Sequence, residues 1–419
     1  MTQPTHNSSK SLLGITIRIV ALALVLVGFG ASSTFAQTTA YVANRLDNTV
    51  SVIDTATNTV VSTIPVGDTP SAVAVTPDGA FAYVTNAIDG TVSVIDTATN
   101  TVVATVPVGP GASGIAITPD GAFAYVTNGG SNTVSVIDIA SNTVIATVTV
   151  GVAPLGVAIT PNGRFVYVAN QLSETVSVID TATNTVTATI AGFVVPALIA
   201  ITPDGAFAYV TNGEGDTVAV INTATNTVAT TIPVLPGPGR IAITPDGAFA
   251  YVANSFLNLV SVIDTATNTV VANVSVATPV GIAITPDGAF VYVTNRDANT
   301  VTVIDTATNT VTATIPVGEG PFAIAFATRG QVDPFASLTA QVQALVAGGS
   351  LRENQGAALI DKLAHIRRSI DEGRTHAACN QLGAFINQVN AFIHSRSLTA
   401  SQGQVLIDAA NALKTSLGC

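Results

Sequence analysis

Between Gln37 and Arg329 the chain contains no histidine, cysteine, methionine, lysine or tryptophan. Those absences remove the usual general bases, the soft metal ligands and the Schiff-base formers from most of the molecule. No catalytic residue, metal site or cofactor is therefore expected there. Positive charge is scarce as well: the same segment carries 19 acids against 5 arginines, a net charge of −14. Nucleic-acid affinity rests on Lys and Arg neutralising phosphates, so nucleic acid is not an expected partner. Long apolar runs are missing after Ala31, and no membrane span is expected in the mature chain.

The first 36 residues read as an export signal. Lys10 and Arg18 precede the apolar stretch Ile19–Ala31, and Thr34-Phe35-Ala36 supplies small residues for cleavage before Gln37. An uncleaved anchor is the alternative. Export places the protein in the periplasm, outside the cell or on its surface.

What the chain does have is a repeat. A Tyr-Val-(Thr/Ala)-Asn tetrad begins at Tyr41, Tyr83, Tyr125, Tyr167, Tyr209, Tyr251 and Tyr292, spaced by 42 residues five times and then by 41. A period of this length made of short strands points to a propeller. In the unit Ser71–Gly109, strands are expected at Ser71–Thr76, Phe81–Asn86, Thr91–Asp96 and Thr101–Val108. The turn Pro77-Asp78-Gly79 joins the first two: Pro77 presets φ, Asp78 bonds local backbone and Gly79 accepts positive φ. At the second turn, Asp96 and Asn100 can satisfy the ends of a hairpin. Strands apolar on both faces, such as Val92-Ser93-Val94-Ile95, suit a blade packed between two others.

Strand counting predicts how the ring closes. Tyr41 arrives with no strand ahead of it, and one strand, at 321–327, is left over after the seventh unit. That strand should become the innermost one of the first blade, removing an exposed edge. The expected architecture is an all-β seven-bladed propeller of four-stranded antiparallel blades over 37–329, followed by a small all-α bundle over 330–419. The tetrads, with the Thr-Pro-Asp-Gly and Ile-Asp-Thr-Ala-Thr-Asn-Thr elements, resemble the YVTN-repeat propeller family, which includes periplasmic YncE-like proteins and some surface-layer proteins.

From Asp333 the hydrophobic period becomes helical. Asp333 and Pro334 open a first helix that ends at Gly348-Gly349. Ser350 and Glu353 have capping-box spacing for a second, closed by Gly373. Ala378, Leu382, Phe385, Val389 and Phe392 line one face of a third. Thr399 and Gln402 open a fourth. The only cysteines, Cys379 and Cys419, would meet if the last two helices are antiparallel, forming a disulfide; two free buried thiols are the alternative. His365, His376 and His394 read as helix-surface residues. This segment resembles the FIMAH-type helical domain found at the ends of some exported bacterial proteins.

Asp recurs at two turn positions in nearly every unit, which marks it as a turn former. Asn162 and Asn222 replace it in two units. The second-to-third-strand loops and the blade-to-blade connections, by contrast, diverge, and divergent loops on a rigid frame are where recognition usually sits. An apolar sector carries Leu155, Phe193, Val194, Leu235, Phe256 and Leu257, read as exposed. A second sector carries Arg45, Asp47, Arg296, Asp297, Glu319 and Phe322, and Arg240 stands near the central channel. The expectation is a monomeric, exported, non-catalytic scaffold that binds a protein or glycan at the cell envelope through this face. The alternatives are a propeller enzyme of lactonase or dehydrogenase-subunit type, acting through Arg45, Arg240 and Arg296, and a structural protein of the cell surface.

Overall fold

The computed structural model describes residues 37–329, 334–371, 374–417 and 419. The segment 1–36, expected to be an export signal, and Asp333 and Gly373 lie outside them. Twenty-eight strands form seven four-stranded antiparallel sheets, and four helices follow. The first sheet has the order β28 (Pro321–Arg329), β1 (Gln37–Asn44), β2 (Thr49–Asp54), β3 (Thr59–Pro65). The C-terminal strand of the propeller thus closes the opening blade, pairing Tyr41 with Ala325 and Val42 with Ile324. Each innermost strand neighbours the innermost strands of the blades on either side, so the ring is continuous.

Within a blade the burial follows the order of strands. The second and third strands of the second unit, β5 (Phe81–Asn86) and β6 (Thr91–Asp96), are buried on both faces. Its fourth strand, β7 (Thr101–Pro107), is largely exposed on both faces, because it lies at the rim where neighbouring blades diverge. Apolar pattern on both faces therefore holds for the inner strands and fails for the outermost one. The turns work as the sequence implied: Thr76 Oγ1 donates to Asp78 Oδ1 at 2.6 Å, Gly79 has φ 72°, and the amides of Ala98 and Thr99 donate to Asp96. Asn162 and Asn222 accept the same bonds as the aspartates elsewhere, so these positions need an acceptor and no charge.

The tetrad tyrosine does something the repeat alone did not reveal. Each of the seven is at most 1% exposed, and each donates its hydroxyl to an asparagine in the outer turn of the next blade. Tyr83 reaches Asn142 at 2.7 Å and Tyr167 reaches Asn226 at 2.6 Å. Tyr292 reaches Asn58 at 2.6 Å, across the seam where the last blade meets the first. Those asparagines occupy the left-handed region, Asn58 at φ 53°, which asparagine tolerates better than most residues. Burial raises the hydroxyls of Tyr83, Tyr125, Tyr167, Tyr209, Tyr251 and Tyr292 to about 12. For Tyr83, the carboxylates of Asp138 and Asp78 add to the effect.

The helical segment comprises α1 (Pro334–Ala347), α2 (Glu353–Asp371), α3 (Thr375–His394) and α4 (Ala400–Ser416). It has its own core, in which Leu359, Leu363 and Ile366 meet Ala378, Leu382, Phe385, Val389 and Leu406. At the start of α4, Thr399 and Gln402 form a reciprocal cap at 3.0 and 3.2 Å. At α2 the expected Ser350–Glu353 box is displaced by two residues: the Arg352 amide donates to Gln355 Oε1 at 3.0 Å, and Ser350 Oγ accepts from Gln402 Nε2 instead. Cys379 and Cys419 are joined, with Cα atoms 5.9 Å apart. His365, His376 and His394 are exposed. No helix among the described residues is long and apolar enough to cross a membrane.

Candidate ligand site at the mouth of the propeller channel

Backbone hydrogen bonds sort the loops onto two faces. On one, Thr97 N donates to Ala80 O, joining the two repeated turns of a blade. On the other, the loop after the tetrad meets the blade-to-blade connection, as Ala87 N donates to Thr69 O and Arg45 N to Gly320 O. The divergent segments therefore share a face.

That face surrounds a cavity of about 280 Å³ at the mouth of the channel. Its wall is built by the second residue of all seven innermost strands: Phe322, Ser71, Ser113, Leu155, Ala197, Gly239 and Val280. These positions are equivalent in the repeat, yet apart from the two serines each blade supplies a different side chain. Arg45, Ala87 and Ser255, the first residues of their loops, complete the rim together with Arg240, Leu198 and Pro279.

The structure brings Arg45, Arg240 and Phe322 together. The guanidinium of Arg45 lies 4.7 Å from the centre of the Phe322 ring, and that of Arg240 lies 5.5 Å from it. Arg240 extends from the sixth blade towards the second, donating from Nη2 to the Ser71 carbonyl at 2.7 Å. Burial, and then the like charge of Arg45, lower the Arg240 guanidinium to about 10. It stays a cation at neutral pH. Neither arginine has a carboxylate partner among the described residues, whereas Arg164 lies 4.0 Å from Asp180 and Arg296 lies 2.7 Å from Asp297.

The other expected residues divide. Phe256 and Leu257 are exposed, at 76% and 46%. Arg296 and Asp297 neutralise one another, with Nη2 and Oδ2 also 3.3 Å apart. Asp47 is a loop clamp, accepting from the Glu319 amide at 2.9 Å and from Thr49 Oγ1 at 2.7 Å. Glu319 itself is exposed and Leu235 half-buried. Phe193 requires correction. It is 4% exposed because it fills the seam between the fourth and fifth blades, among Tyr167, Ile190 and Ile199. Local sequence showed only a loop phenylalanine and could not tell an inward plug from an outward one.

Three exposed residues were missed. Leu46, Ile88 and Leu172, each 70% exposed, occupy the same loop-tip position as Phe256. Aligning the second residue of each post-tetrad loop would have found them. Among the described residues, no group of three or more His, Cys, Asp or Glu is placed to hold a metal ion.

Several solved structures share the architecture. Hydrazine synthase of Kuenenia stuttgartiensis is 27% identical, over 61% of this chain and 88% of that one, with a TM-score of 0.56. A functionally unknown protein from Desulfotomaculum acetoxidans DSM 771 is 22% identical, over 69% and 98%, with a TM-score of 0.63. The dihydro-heme d1 dehydrogenase NirN is 14% identical, over 70% and 76%, with a TM-score of 0.56. Identities as low as these last two show the fold alone. No curated protein matches the chain. The FIMAH domain model matches residues 335–415. The model described as "Lactonase, 7-bladed beta-propeller" matches residues 56–197 and 199–319, well over half of the chain, so the chain belongs to that family.

Proposed function

We propose that the protein is an exported, monomeric, non-catalytic binding module of the YVTN-repeat type, which recognises a protein partner through the variable-loop face. The observation that carries this reading is the set of apolar loop tips. Leu46, Ile88, Leu172 and Phe256 stand 70–76% exposed at one equivalent position around the channel mouth. Single exposed apolar residues are ordinary, but four at one repeat position, spread over four blades of one face, offer apolar anchors to a partner large enough to span the mouth. Aliphatic side chains favour a protein over a glycan, whose recognition depends more on aromatic platforms and polar groups. The reading is tested by affinity capture from native extract with the wild type and with Leu172→Asp/Phe256→Asp. The same protein retained by the wild type and lost by the variant, at unchanged melting temperature, supports it. Equal retention by both refutes the assignment of the face.

Family membership favours one other reading, a lactone-processing enzyme. Arg45 and Arg240 could stabilise an oxyanion, but the described propeller residues place no base beside them. A lactone-hydrolysis screen separates the two: turnover abolished by Arg240→Gln would establish the enzyme.

A further inference from the structure

Two positive charges meet at the channel mouth with nothing in the fold to require them. The residue equivalent to Arg240 is Ala72 in the second blade and Gly114 in the third, and those blades form the same sheets without a cation. One donor of Arg240 goes to the Ser71 carbonyl. Its remaining donors and those of Arg45 have no protein acceptor among the described residues. Placing two partly buried guanidiniums around one phenyl ring is costly unless an anion joins them.

The surroundings narrow what that anion can be. The cavity of about 280 Å³ lies just below the usual range of ligand pockets, about 300–1,000 Å³, so only a small ligand fits. Its lining includes Leu155, Leu198, Val280 and Phe322. Two of its serines are already committed: Ser71 Oγ donates to the Thr69 carbonyl at 3.2 Å and Ser113 Oγ to the Gly111 carbonyl at 2.9 Å. Beyond the two guanidiniums, a polyhydroxylated sugar acid would find few free hydroxyl partners there. The seven blades offer strand ends and no helix N-terminus, the usual cradle for phosphate.

We propose that this cavity is a binding site for a small monocarboxylate with an aromatic or aliphatic body, its carboxylate held by Arg45 and Arg240 and its body packed against Phe322, Leu155 and Leu198. Guanidinium donors match a planar carboxylate bidentately, and with both guanidiniums over the Phe322 ring the ligand's body meets the edge of that ring together with Leu155 and Leu198. The site is separate from the loop tips and does not depend on the partner proposed above.

Isothermal titration calorimetry on the full chain tests this, with phenylacetate as the probe and phenylacetamide, gluconate and inorganic phosphate as comparators. Phenylacetate should bind saturably at one site, and the neutral amide should not. Arg45→Gln and Arg240→Gln should each weaken phenylacetate about 10- to 100-fold, as expected for one charge-assisted bond. Arg45 lies at a loop, so Arg45→Gln keeps the test open if Arg240→Gln fails to fold. Equal binding of the amide, or unchanged affinity in a folded Arg45→Gln, overturns the site. Tighter binding of gluconate or phosphate than of phenylacetate overturns the ligand class. Partner capture by the loop tips does not use this cavity, so failure of either experiment leaves the other interpretable.

Discussion

The tyrosine clasps make the ring sensitive to alkali. Six phenols are raised to about 12 by burial, while the unfolded chain ionises near 10. The folded form holds the neutral phenol, so its contribution is complete below pH 10. It falls between pH 10 and 12 as the unfolded chain ionises first, and levels off once the folded phenols ionise too. At pH 11 each clasp has lost about 1.4 kcal/mol, and six have lost about 8 kcal/mol. The hydroxyls sit beside the turns at the protein surface, and halving the figure for solvent screening leaves about 4 kcal/mol. Against a total stability of about 5–15 kcal/mol, that removes between about a quarter and four-fifths of it, and the loss keeps growing towards pH 12.

The assay is unusually clean. The chain has seven tyrosines, all in tetrads, and no tryptophan, so phenolate absorbance reports only these groups. Absorbance and far-ultraviolet circular dichroism, followed together from pH 8 upward, should change in one coincident transition above pH 10. A phenolate signal that rises with a midpoint near pH 10 while the sheet signal stays constant would refute the clasp argument. It would mean that the hydroxyls are open to solvent without loss of the fold.

Two further outcomes follow from other contacts. Reducing the Cys379–Cys419 bond, which closes a separation of 40 residues, should destabilise the helical domain by about 4 kcal/mol in the chain-entropy model. Calorimetry with and without reductant should move the helical transition and leave the propeller transition in place. Gly237→Ala should cost about 1–2 kcal/mol, because Gly237 has φ +74° and an added Cβ would lie 2.6 Å from the Phe256 ring. The same change at Gly213, in the fifth-blade loop equivalent to that of Phe256, where φ lies outside the left-handed region and an added Cβ would come no closer than 3.5 Å to the Val195 carbonyl, should cost less in a denaturant titration.

The architecture was legible because the repeat wrote it seven times. The tetrad spacing gave the blade count, and the unpaired strand at 321–327 gave the closure. What remained hidden depends on contacts between repeats. Tyr83 meets Asn142 from 59 residues away, and a strictly periodic pattern gives no sign of which copy bonds which. Phe193 misled for the same reason: its partners Tyr167 and Ile199 belong to two blades, and the loop composition around it carries no trace of the seam. The site was partly legible. Arg45, Arg240 and Phe322 stood out as departures from the repeat, but 195 residues separate the two arginines and only ring closure brings Phe322 between them.

The division between a constant and a variable face has a physical origin in how many positions each loop constrains. In the outer turns nearly every residue has a task. Asp96 accepts two amides, Thr97 bonds the neighbouring turn, and Asn100 holds a left-handed φ while accepting the tyrosine of the adjacent blade. The four-residue loop after each tetrad makes fewer demands: a clamp at its third position in some blades, as at Asp47 and Asp89, an acceptor for an amide of the connection at its last, as at Asn48 and Asn132, and throughout a positive φ at that last position. Asn48, Gly90, Asn132, Glu174, Asp216, Asn258 and Asn299 all meet it, at φ 48–62°. Glutamate and aspartate are accepted there, so even that demand is loose. The first residue of the loop lines the channel cavity in three blades, as Arg45, Ala87 and Ser255, and the second stands exposed at the tip in four, as Leu46, Ile88, Leu172 and Phe256. A ring can therefore keep all seven clasps while each blade presents a different side chain to the mouth. The side chains at Arg45 and Phe256 can change without touching a tyrosine clasp, which is the freedom that a recognition face of the proposed kind requires.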